Sequence, residues 1–236
     1  MATWMFLIRM VDRVPGGSSA RLLQLASGTL PVGAYAYSQG LEWAVETGWV
    51  QDSISLEEWL RDQLLYSIAT TDLPILIRLY DAARANDEQA MFRWSRELVA
   101  LRETSELVLD DCARGSALAR LLVDLDVETA ATWVRRNDTP FAAPLALVAV
   151  AWELSCEDVV LAYTWGWLEG QVLAGVKLIP LGQVAGQQLL FELSALITSA
   201  YESAQRLKDE DIGATLPALA LASALHETQY TRLFRS

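Results

Sequence analysis

The chain has 236 residues, of which 53% are hydrophobic and 20% charged, with a formal net charge of −12. That length gives one large domain ample core, and the composition excludes a disordered chain or a polar coat. The acidic balance argues against binding nucleic-acid backbones and leaves a basic protein partner, or cations drawn to an acidic field.

The opening Met1-Ala-Thr-Trp-Met-Phe-Leu-Ile8 has the apolarity of a signal core but lacks a basic start, and Arg9, Asp12 and Arg13 follow at once. A secreted product is therefore not expected, and the chain reads as cytoplasmic. Residues 1–20 are expected to be an N-terminal appendage, 21–225 a single helical domain, and 226–236 a C-terminal docking tail. Ala26 to Gly33 is rich in turn formers. Ser55-Leu-Glu-Glu58 matches a capping box, and Trp59, Leu60, Gln63 and Leu64 continue a helix-period stripe. Asp72-Leu-Pro74 offers an N-cap and a first-turn proline for a helix over Ile75–Ala85. After Asn86-Asp87, the residues Met91, Trp94, Leu98 and Leu101 form one apolar face. Further helices are expected near 105–122, 128–136, 142–154, 157–174, 183–207 and 216–224. The apolar run Phe141–Trp152 is too short to span a bilayer and contains Pro144, so no membrane is expected. Lys208 to Gly213 is an acidic break. No segment alternates at period two for long enough to be a strand, and there is no fixed-period repeat. The expected fold is all-α, a single-domain bundle of roughly ten helices.

Chemical motifs are sparse. No GxxxxGK[ST] loop is present to cradle a nucleotide triphosphate, and no GxGxxG follows a strand. One histidine and two scattered cysteines, Cys112 and Cys156, argue against a closed soft-ligand metal site within one subunit. His226 and Glu227 are adjacent, and neighbours on a helix point about 100° apart, so they do not orient one another as an acid–base pair. Gly182 and Gly186 are spaced for close helix packing. Lys177, one of two lysines, sits near a helix end before Pro180. It either neutralises the carbonyl end of the helix or contacts an acidic partner. The tail His226-Glu-Thr-Gln-Tyr-Thr-Arg-Leu-Phe-Arg-Ser236 concentrates aromatic and arginine side chains, the types that dominate interface energies. Tyr230, Leu233 and Phe234 fall at i, i+3 and i+4, so a helix through them would carry an apolar face edged by Arg232 and Arg235.

Five segments, in order, resemble the urease accessory protein UreF family: Leu22 to Glu42 (LLQLASGTLPVGAYAYSQGLE), Asp72-Leu-Pro74, Arg102-Glu-Thr104 with Glu106-Leu107, Ala174 to Gln183 (AGVKLIPLGQ), and the tail from His226. They cover about residues 21–236. The resemblance implies an all-helical, non-enzymatic factor in nickel insertion into apo-urease. It would bind the accessory protein UreD (also called UreH), form a homodimer and regulate the GTPase UreG. No cofactor would be bound by the isolated chain, nickel being handled by the assembled complex. The family's UreD contact maps onto the tail, here His226, Glu227, Tyr230, Arg232, Phe234 and Arg235, and its GTPase side onto Lys177. Ala34 stands where the family often has glycine. Gln39 stands where it often has histidine, which removes a nickel ligand from that segment. Two other readings of the residues stay open: a helical adaptor unrelated to nickel, and a small enzyme using His226.

Overall fold

The computed structural model describes residues 17–235. Among these the regular structure is entirely helical, as the periodicity requires. Most of the expected appendage, residues 1–16, lies outside the described residues, and α1 (Gly17–Ala26) begins within its stated bounds. The chain then runs through α2 (Leu41–Glu46), α3 (Ser53–Gln63), α4 (Leu73–Arg84), α5 (Glu88–Ala100) and α6 (Ser105–Asp124). After short turns of helix over 128–134 come α7 (Ala142–Ala151), α8 (Cys156–Leu178), α9 (Gln183–Ser194), α10 (Ile197–Arg206) and α11 (Pro217–His226).

The longest helix, α8, organises the rest. It carries apolar residues on every side, the pattern of a helix buried all round, and Val159, Val160, Trp167, Leu168 and Val172 are all buried. Helices α1, α2, α3, α4, α7, α9 and α10 pack against it. Gly186 of α9 faces Val172 and Val176 of α8, so the spaced glycine pair serves internal packing at its second member, while nothing lies near Gly182.

Three local expectations are corrected. The capping box at the start of α3 is Asp52 with Ser55, not Ser55 with Glu58: the Asp52 carboxylate accepts the Ser55 amide at 2.9 Å, and the Ser55 hydroxyl accepts the Asp52 amide at 3.1 Å. Aspartate caps at least as well as serine, so the helix starts three residues earlier.

Asp72 caps nothing, because α3 does not stop before Pro74. The helix continues through a π-helical stretch, Leu64–Asp72, in which Leu73 donates to the Ile68 carbonyl. Proline deprives the carbonyl four residues back of its donor; that carbonyl, on Thr70, accepts from the Gly213 amide at 3.1 Å instead. The acidic break near residue 210 thus completes the hydrogen bonding of the π-helical stretch.

The helix expected over 183–207 is two. Leu196 N–H turns back to Leu193, and the Ser194 and Ser199 hydroxyls bond the carbonyls of Phe191 and Leu196. Those side chains compete with the helical ladder at the break.

Gly115 of α6 lies against the segment that leads into α7; a Cβ there would sit 2.7 Å from the Pro140 carbonyl carbon. Backbone cannot yield as a flexible side chain does, so Gly115→Ala should cost about 1–3 kcal/mol. An unchanged urea midpoint would contradict that close approach.

Candidate functional site

The turn-rich segment after α1 ends in two left-handed residues, Gln39 at φ 53° and Gly40 at φ 82°. Glycine is required at 40 on two counts: its φ, and the Ser223 amide of α11, which a Cβ would approach to 2.8 Å. Ala34 sits in a short 3-10 turn (Ala34–Ala36) without a positive φ, so its methyl group is accommodated.

The Gln39 side chain points into the molecule. It donates to Asp110 at 2.6 Å and accepts from the Trp167 indole at 2.9 Å. Arg114 pairs with Asp110 at 2.6 Å, and Arg102 lies between Asp72 and Asp111 at 2.6 and 2.7 Å. Tyr163 donates to Asp72 at 2.5 Å, and the Phe141 amide donates to Asp111 at 2.8 Å. Burial alone would lower the pKa of Arg102, but Asp111 and then Asp72 outweigh it and hold the guanidinium well above its ordinary value. These residues line a polar cavity of about 40 Å³, room for a water or two rather than a substrate.

At the other end of the Gln39 segment lies the seat of the C-terminal tail. His226 ends α11 with no exposed surface; its Nδ1 is 2.8 Å from a Glu106 oxygen and its Nε2 is 3.2 Å from a Glu42 oxygen. Glu42 also accepts the main-chain amides of Leu233 (2.6 Å) and Phe234 (2.9 Å). Arg232 donates to Glu106 at 3.0 Å. The Arg235 amide donates to the Ala36 carbonyl at 2.7 Å, which ties the chain's end to the 3-10 turn. Glu227 accepts from the Ser105 hydroxyl at the first turn of α6, where negative charge is favoured.

The tail residues that the sequence grouped together are therefore divided by the structure. After His226 the chain leaves the helix, so Tyr230, Leu233 and Phe234 do not share a helical face. Phe234 is buried at 6% exposure, whereas Tyr230 is fully exposed (103%) and Leu233 two-thirds exposed. Lys177 is exposed in the last turn of α8, its ammonium 5.5 Å from the Phe234 ring centre and 6.0 Å from that of Tyr35.

Two features escaped the sequence reading. Glu42 and Glu106 are the carboxylates that receive the tail; the signal for them was a lone histidine and two arginines ending an acidic chain. The second is the outward apolar face of α11. Leu219, Ala222, Ser223 and His226 face inward, and Ala218, Leu221, Ala224 and Leu225 face out, giving an exposed helix face without a charge.

Catalytic chemistry finds little support here. A groove of about 380 Å³ between α4, α5 and α7 is lined by Ala83, Met91, Trp133, Leu147 and Val150, and its acids, Asp87 and Glu88, cap and begin α5. Burial pushes both thiols, Cys112 and Cys156, up to about 11, away from nucleophilic use. Among the described residues no three His, Cys, Asp or Glu side chains converge to hold a metal ion, and no helix is long and apolar enough to cross a membrane. Asp72→Ala would leave the Arg102 guanidinium facing Asp111 alone in the interior; a loss of about 3–5 kcal/mol is expected on denaturant unfolding, and a loss under 1 kcal/mol would show that the pair is dispensable.

A protein-family profile described as UreF matches residues 50–194. Relatives named urease accessory protein UreF cover nearly the whole chain. One from Alkalilimnicola ehrlichii is 49% identical over 225 residues, 94% of this chain and 97% of its own. One from Pseudomonas putida is 49% identical and one from Escherichia coli O157:H7 46% identical, each over 216 residues, 92% of this chain and 96% of the relative.

Proposed function

The chain belongs to the UreF family, and we propose that it acts as a urease accessory protein, a helical scaffold without catalysis of its own that serves nickel insertion into apo-urease. Near-half identity along almost the full length of proteins so named carries the reading. The buried Asp72, Asp110, Asp111, Arg102 and Arg114 are held in structural pairs, and the only histidine is locked between two carboxylates, which disfavours an enzyme based on His226.

In this reading the chain joins a UreD/UreH-type accessory protein and the GTPase UreG, and pairs with a second copy of itself. Nucleotide chemistry belongs to the GTPase, since the chain has no phosphate-cradling loop. Nickel is handled by the assembly, with no cofactor held by the single chain. The accessory-protein contact is assigned to the outer face of α11 together with Tyr230 and Leu233. These residues are uncharged and exposed apolar side chains, the type of surface that a partner, rather than water, satisfies. The buried His226 and Phe234, with the bonds of Glu227, Arg232 and the Arg235 main chain, hold that surface in place. The exposed Lys177 faces the GTPase side. Self-association is assigned to α9, whose Val184 and Phe191 are 73% and 81% exposed, with Ile54 of α3 nearby across a shared cleft.

Co-expression with urease subunits and the other accessory proteins tests the function. The wild-type chain should restore urease activity to cells lacking their own homologue; partner capture without activation would favour an adaptor unrelated to nickel. In the same assay Tyr230→Ala with Leu221→Asp should weaken capture of the UreD-type partner more than tenfold, since interface anchors are worth about 2 kcal/mol or more. Melting should be unchanged, because neither side chain is buried. Full capture by this variant refutes the assigned face. Phe191→Asp should leave a folded monomer by light scattering, and a dimer of unchanged mass would place self-association elsewhere.

A further inference from the structure

The apolar groove between α4, α5 and α7 has no part in the reading above. Its volume of about 380 Å³ is that of about a dozen waters, yet Met91, Trp133, Leu147 and Val150 present them with apolar walls. The rim is acidic: Asp87 and Glu88 line it, no basic side chain does, and neither acid has an ion pair among the described residues. A fitting occupant is therefore apolar at its centre and basic at its edge.

The chain itself carries such a segment. Trp4-Met-Phe-Leu-Ile8 is an unbroken apolar run, followed by Arg9 and Arg13, with Asp12 the one acid before Gly17. The path of α1 brings this segment to the groove. Ala26, at the end of α1, lies beside Gly166 in the middle of α8, whereas Arg21 places its guanidinium over the Trp152 ring at 4.8 Å, ahead of the start of α8. The helix thus begins at the turn between α7 and α8, and Gly17, about one helical turn before Arg21, is buried. Val150 and Ala151, which line the groove, directly precede Trp152. From Ile8 to Gly17 the chain can reach about 30 Å, against a helix width of about 10 Å. Arg21 Nε, buried at the same place, has no acceptor among the described residues, and a main-chain carbonyl passing there would supply one.

We propose that residues 4–8 dock in this groove of their own chain, with their apolar side chains against Met91, Trp133, Leu147 and Val150, and with Arg9 and Arg13 at the Asp87–Glu88 rim. The segment thereby covers an apolar surface that another protein would otherwise meet. This docking stands apart from the urease reading, and the failure of either leaves the other intact.

Brief trypsin treatment of the full-length protein tests the docking, with cleavage after Arg9 and Arg13 followed by mass spectrometry. Thr132 and Ala151 are exposed on the groove's walls, so Thr132→Trp with Ala151→Trp obstructs it from the surface while the segment keeps its sequence. Cleavage at both arginines should be slow in the wild type and about tenfold faster in the double variant, the factor that the burial of one large apolar side chain supports. Equal rates in wild type and folded variant overturn the proposal. If the double variant does not fold, Glu88→Lys, at an exposed position, replaces it and should speed cleavage about threefold by reversing a rim charge; an unchanged rate overturns the proposal. The occupant is then identified by photocrosslinking from Phe6→benzoylphenylalanine in the full-length chain. Adducts on Met91, Leu147 or Val150 within a monomer, at a yield unchanged by dilution, are expected. Groove adducts found only in crosslinked dimers would assign the groove to a second copy's segment and overturn docking within one chain. Adducts confined to other surfaces overturn the groove as the seat.

Discussion

A buried carboxylate must be satisfied, and Glu42 is satisfied by the far end of the chain. It lies in the second turn-forming region's helix, α2, and receives two main-chain amides and an imidazole nitrogen from residues more than 180 positions away. Leaving such a group without donors would cost several kcal/mol, so the tail is as much a requirement of α2 as α2 is a seat for the tail. Histidine suits position 226 because a flat ring presents polar atoms on two sides and can bridge two carboxylates. Arg232 then supplies a positive partner for Glu106. The end of the chain, which composition alone would assign to solvent, is closed into the fold by charge.

The same logic governs the interior. Asp72 lies within a continuous helical run, and its carboxylate draws in Arg102 from the start of the α6 region and Tyr163 from α8. Pro74 leaves a carbonyl beside the π-helical stretch without its helical donor, and that carbonyl is met by Gly213 across the molecule. A hydrogen bond missing from one helix is supplied by a loop distant in sequence, which fixes that loop's path before α11. Gly40, pressed against the α11 backbone, fixes the other side of the same helix. The position of the exposed apolar face on α11 therefore follows from a proline, a glycine and a buried acid rather than from any residue in the face itself.

Helix type and approximate position were legible because the 3.6-residue apolar period is local information. The all-α fold follows from it, as do α5, α6, α8 and α11 to within a few residues. What escaped was set by partners remote in sequence. Asp72 before Pro74 looks like a cap in isolation; only Arg102 and Tyr163 show it to be an internal ion-pair acceptor. Ser55 with Glu58 satisfies a capping pattern, but Asp52 competes three residues earlier and prevails. At the candidate site, Tyr230 and Lys177 are exposed as side chains of partner surfaces would be, whereas Phe234 and His226 face inward. Spacing could not separate these two sets, because the tail is not helical and each residue's direction depends on where Glu42 anchors the main chain.

The charge distribution sharpens the functional reading. Of the basic side chains, Arg102 and Arg114 are spent in buried pairs and Arg78 and Arg232 in pairs tying loop and tail to helices. These four positive charges, in an already acidic chain, are thus turned inward or neutralised. In the proposed reading Lys177, exposed on a chain of net charge −12, offers a point of attraction for a carboxylate on a partner. The α11 face, by contrast, has no charge, so the contact proposed for it rests on apolar burial, which is little screened by salt. In the proposed reading, a scaffold that meets one partner by apolar contact and another by charge can hold both at once without their competing for the same surface.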